Sequence, residues 1–98
     1  MTNMREIYAE RADRAGKKWC PLCRAILDDD KDRRGVVEFI DGWFWVCGEC
    51  ISKLGKVFDC TQQADYGGHI VIRYFRRSRK FVLRYLKEEH QIIITSRG

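Results

Sequence analysis

Apolar positions follow helical spacing near the start of this chain, alternate in its middle, and return to helical spacing after residue 49. Asn3 and Glu6 have the form of a capping box, and Met4, Ile7, Tyr8, Ala12 and Ala15 recur every three or four residues up to Gly16, a natural stop. The spacing predicts an amphipathic helix over residues 4–15. Its stripe is narrow and partly alanine, so the helix is expected to dock on the rest of the chain.

"VVEFI" and "WFWVC" read as two strands joined by Asp41-Gly42, a dipeptide favoured where both central residues of a hairpin turn need positive φ. That turn opposes Ile40 to Trp43, Phe39 to Phe44, Glu38 to Trp45, Val37 to Val46 and Val36 to Cys47. One face then carries Val37, Phe39, Phe44 and Val46. The other carries Val36, Glu38, Ile40, Trp43, Trp45 and Cys47.

Ile51, Leu54, Val57 and Phe58 predict a short helix from about Glu49 to Asp59, with Gly55 inside it. "CTQQADYGG" reads as a connector. Beyond it "HIVIRYF" and "QIIITS" read as strands, and the segment between them is either a helix capped by Ser78 or a third strand of a meander. The helix is favoured, because Phe81, Val82, Tyr85 and Leu86 share one side and Arg84 stands four residues before Glu88.

Two Cys-x-x-Cys pairs, Cys20 with Cys23 and Cys47 with Cys50, are separated by 23 residues. Four thiolates at this spacing are the donor set of one structural Zn2+, held as a closed tetrahedron with no position left for a catalytic water. "CPLC" reads as a knuckle. Cys47 ends a strand and Cys50 enters the first turn of a helix, where free N–H groups and the helix dipole favour negative sulfur.

"CPLC", the hairpin and "WVCGECISKL" together resemble the treble-clef zinc modules with four cysteine ligands, most nearly the small N-terminal zinc domain of ClpX-type unfoldases. The resemblance covers residues 19–58. It implies Cys20, Cys23, Cys47 and Cys50 as ligands and a docking or dimerising surface, a homodimer included, in place of an active site. Arg24 stands where many knuckles have glycine, the spacing between the pairs is longer than in the unfoldase domain, and no ATPase follows.

Composition bounds the rest. At 98 residues the chain is a single domain whose core alone gives little stability, so a metal staple fits. With 45 % apolar and 34 % charged residues it should fold. No apolar run has the length of a membrane span and the first residues lack a signal peptide's apolar centre, which places the expected site of action in a cytoplasm and favours metal over disulfides for the thiols. The expected fold class is a small zinc-stabilised α+β domain: an N-terminal helix at 4–15, the four-cysteine module at 19–58, and a C-terminal β-α-β or meander extension at 66–98.

Residues 1–65 carry a net charge of −1 and residues 66–98 carry +6. The basic set Arg73, Arg76, Arg77, Arg79, Lys80, Arg84 and Lys87, interleaved with Tyr74, Phe75, Phe81 and Tyr85, has the composition of a phosphate-binding surface with stacking rings. Trp43 and Trp45 either pack under the N-terminal helix or the last strands, or offer an aromatic surface to a base or a partner protein. The function expected is an interaction module binding nucleic acid through its basic last third. The alternative is an adaptor or inhibitor that binds a nucleic-acid enzyme or a proteolytic machine.

Other chemistries fit less well. A calcium loop starting at Asp30 places Arg34 at its fifth position and Asp41 at its twelfth, where a glutamate is needed. Cys60 has no base placed beside it by the sequence and reads as a buried free thiol. An HNH nuclease needs histidines and an asparagine around the hairpin, and "GVVEFIDGWFWVC" has none. The chain is therefore expected to be no enzyme.

Overall fold

The computed structural model describes residues 4–16, 18–27, 32–58, 60–62, 70–72 and 76–97; at 4–9, 60–62 and 70–72 it describes the backbone alone. The first helix, α1, spans Met4–Ala15, as its spacing predicts. Strands β1, Gly35–Phe39, and β2, Gly42–Val46, form the antiparallel hairpin, and α2 follows at Gly48–Gly55. Two short strands, β3 at Cys60–Gln62 and β4 at Ile70–Ile72, precede α3 at Arg79–His90. The fold is α+β.

The hairpin register differs from the sequence expectation. Phe39 pairs with Gly42, Glu38 with Trp43, Val37 with Phe44, Val36 with Trp45 and Gly35 with Val46. Gly42 has φ +131°, while Ile40 and Asp41 keep negative φ, so the loop places its one unusual backbone angle on the one residue without a side-chain penalty. Every partner moves by two positions. Because side chains alternate with period two, both faces keep the membership expected of them.

The hairpin extends into a mixed sheet of order β2-β1-β4-β3, in which β4 runs parallel to β1 and antiparallel to β3. The connector expected at residues 60–68 therefore begins as a strand. The last strand expected, "QIIITS", does not form. Gln91 adopts a left-handed conformation (φ 57°) that ends α3, and Ile92 N–H donates to the Leu86 carbonyl. Ile92 and Ile94 then pack half-buried against the core without a strand partner.

Residues 79–90 settle as a helix. Ser78 caps it, its Oγ accepting from Phe81 N–H at 3.1 Å. Helix α1 lies against β2 and β1, and α2 against β4. The Trp45 indole donates to Asp13 Oδ1 at 2.7 Å, so α1 covers the hairpin face bearing Val36 and Trp45. The guanidinium of Arg79 lies 5.5 Å from the Phe44 ring centre, so α3 begins on the opposite face. Val36, Val37, Phe39, Val46, Leu27, Ile51, Leu54, Val82 and Leu86 are buried in one core with the four module cysteines. No helix among the described residues is long and apolar enough to cross a membrane.

Candidate metal centre

The first pair sits in a knuckle that its own backbone holds. Cys20 N–H donates to the Ala25 carbonyl at 2.7 Å, Arg24 N–H to the Cys20 carbonyl at 2.9 Å, and Leu27 N–H to the Lys18 carbonyl at 2.7 Å. Trp19 and Ile26 form an isolated antiparallel bridge across its base. Arg24 takes φ +67°, the left-handed angle for which many knuckles use glycine.

The second pair joins β2 to α2. Cys47 is the N-cap residue, and its carbonyl accepts the first intrahelical bond from Ile51 N–H at 3.0 Å. Cys50 follows in the first helical turn, where N–H groups have no intrahelical acceptor. Gly48 allows this turn to pass under Arg34: a Cβ there would stand 2.9 Å from Arg34 Cγ.

These two elements bring the four sulfurs within 4.8 Å of one another, and all four residues are buried. Cys23 and Cys47 Sγ are 3.5 Å apart, and all four cysteines are free thiols. Such a cluster is one connected proton-sharing system. Hydrogen bonds from Cys20 and then Cys50 hold the Cys47 thiol down to about 2. Its partners move the other way: Cys20 is pushed up to about 11, chiefly by its bond to Cys47, and Cys50 is raised, chiefly by its bond to Cys20. Thiols that hydrogen-bond to one another share protons that a cation can displace, and the four sulfurs converge on a single point of binding.

Contacts made by residues other than the cysteines tie the two halves. Arg97 N–H donates to the Cys23 carbonyl, and the Arg97 guanidinium pairs with Glu49, the residue before Cys50. Lys53 reaches the same carboxylate at 3.2 Å and the Ile93 carbonyl at 2.9 Å. Sequence reasoning missed Arg97 and Glu49. The only available signal was the Glu49–Lys53 spacing of four, which is common on any helix.

The basic residues divide. Arg76 pairs with Glu38 at 3.5 Å, and Arg79 pairs with Asp41 at 3.1 Å while its guanidinium also lies 6.0 Å from the Trp19 ring centre. Arg77 is exposed over Phe81, 5.2 Å from the ring centre. Lys80, Arg84 and Lys87 are exposed along α3. Arg73, Tyr74 and Phe75 lie outside the described residues, as does the side chain of Cys60. Trp43 is half-buried opposite Glu38, and Trp45 is 4 % exposed beneath α1.

Comparison with protein-family models, with curated proteins and with solved structures finds no match to this chain. No family match confirms a ClpX-type zinc domain, and the four clustered cysteines could hold a metal ion.

Proposed function

We propose that this protein is a structural-zinc interaction module, of treble-clef type in its knuckle, hairpin and α2, that binds nucleic acid through the exposed basic side of α3. Zinc suits the centre because four thiolates in a tetrahedron with Zn–S bonds of about 2.3 Å lie roughly 3.8 Å apart, close to the spacing already present. With four protein ligands the ion has no open position for water. Its chemistry is structural, and no catalytic role is assigned.

The observation that carries the nucleic-acid reading is the placement of Lys80, Arg84 and Lys87. At spacings of four and three they share one solvent-facing stripe of α3, and none has an ion pair among the described residues. They span about 10 Å of helix axis, against one duplex charge per roughly 1.7 Å. Arg77, just before α3, is exposed with its guanidinium over Phe81, and Phe81, 43 % exposed, stacks on Tyr85. Arg76 and Arg79 belong more to the hairpin, whose carboxylates they hold. The protein-binding alternative has its own observation, the groove between the knuckle and α3.

Titration of single- and double-stranded oligonucleotides across salt tests the reading. On duplex DNA the logarithmic salt slope should be near −0.9 per neutralised phosphate, and the triple variant K80A/R84A/K87A should flatten it by up to about three units with zinc content unchanged. Absence of binding at about 50 mM salt removes the nucleic-acid reading.

A further inference from the structure

A groove with a volume of about 530 Å3 lies between the knuckle, the hairpin turn and the start of α3. That is within the roughly 300–1,000 Å3 of ligand-binding clefts. Its apolar lining is aliphatic, from Pro21 and Leu22 in the knuckle, Ile40 in the turn and Leu83 on α3. Ile40 is 71 % exposed, although its backbone is anchored by a bond from its N–H to the Arg77 carbonyl. The charged lining is Arg24, Arg79 and Lys80 against one carboxylate, Asp41, which Arg79 already holds.

Arg24 supplies the second, independent observation. Its left-handed backbone is one that glycine adopts without strain and that a residue with a Cβ does not favour. The knuckle nonetheless carries an arginine there, with its guanidinium 5.2 Å from the Trp19 ring centre and its side chain on the groove. The knuckle sets that backbone angle, and the residue that occupies it presents a cation to the groove.

We propose that this groove is a docking site for an acidic segment of a partner protein, with one aliphatic side chain seated on Leu22, Ile40 and Leu83 and flanking carboxylates on Arg24 and Lys80. An aliphatic floor under a cationic rim complements a peptide that alternates acidic and aliphatic residues. A nucleic-acid strand would be better served by rings to stack on, and no aromatic among the described residues lines the groove. This site shares Lys80 with the nucleic-acid stripe of α3 but does not depend on that reading.

The experiment uses the zinc-loaded protein and two fluorescein-labelled peptides, one of aspartates around a single leucine and one with that leucine replaced by alanine. Saturable binding of the leucine peptide, weakened in the alanine peptide, is expected. Arg24→Gly should keep its zinc and melt no lower than the parent, since it relieves the left-handed strain, yet bind the leucine peptide about tenfold or more weakly. Ile40→Glu, at an exposed turn position, should weaken binding by its added charge. No binding, equal binding of the two peptides, or unchanged binding by both variants overturns the proposal. So does loss of oligo-dT affinity in Arg24→Gly without loss of peptide affinity, which would make the groove a nucleic-acid site.

Discussion

Trp45 on β2 donates its indole N–H to Asp13 on α1 across 2.7 Å, joining the second strand of the hairpin to a helix more than thirty residues earlier in the chain. Asp13 also lies 3.7 Å from Arg33, so one carboxylate serves two distant segments. Asp13→Ala should lower stability by about 1.5–3 kcal/mol, the range for a hydrogen bond to a charged group. Thermal melting reads the loss, and a shift in tryptophan emission would place it at Trp45.

Metal analysis of protein purified without chelator should return one zinc per chain. Cys20→Ser and Cys50→Ser should lose both metal and fold, because zinc binding and folding share a free energy on the order of 10 kcal/mol. Cys60→Ser should leave zinc content unchanged, since the cluster of Cys20, Cys23, Cys47 and Cys50 already completes a tetrahedral set. A variant at Cys60 that loses the ion would overturn that ligand assignment.

Acid should release the metal. Zinc takes thiolates, so binding expels the protons that Cys20 and Cys50 hold in the metal-free cluster, where both are raised. The sign follows: the more tightly those two protons are held, the harder they compete, and zinc affinity falls as pH falls. A chromogenic zinc indicator read between about pH 8 and pH 5 should show the released fraction rising as pH falls. Zinc that stays bound without change across that range would overturn ligation by titratable thiols.

Gly42→Ala isolates a backbone effect. A Cβ at that position would find Phe44 Cε2 no nearer than 4.0 Å, so space is available, but φ +131° is a conformation that L side chains rarely adopt. Destabilisation of about 1–3 kcal/mol is expected, with zinc retained. Denaturant unfolding of the zinc-loaded variant measures it.

The cysteine positions were legible because two spaced pairs, one at a knuckle and one at a strand-to-helix junction, leave little freedom in where the sulfurs meet. Hairpin faces were legible for a similar reason, since apolar alternation survives a two-position move of the partner strand. The turn was not, because Asp41-Gly42 suits more than one loop and only the backbone angles of Ile40, Asp41 and Gly42 distinguish them. Strand β3 carries "CTQ", too short and too polar to show a period. Ile92, Ile93 and Ile94 have strand composition, yet the left-handed Gln91 turns the chain back so that two of them serve packing. The parallel pairing of β1 with β4 depends on where a long connection returns, which no local pattern records.

That pairing bears on the order of assembly. Gly35 must find Ile70, a separation of 35 residues, before β4 and its partner β3 have a sheet to join. All four clustered cysteines, by contrast, lie between residues 20 and 50, and the hairpin between the pairs closes through a short loop. Loop-closure entropy favours the nearer contacts, so a chain leaving the ribosome can load its ion and set the knuckle, hairpin and α2 while residues 60–72 are still unsynthesised or unpaired. The late event is the docking of the second half of the sheet onto β1, and its rate, not metal capture, would then govern how long that strand edge stays open to other chains.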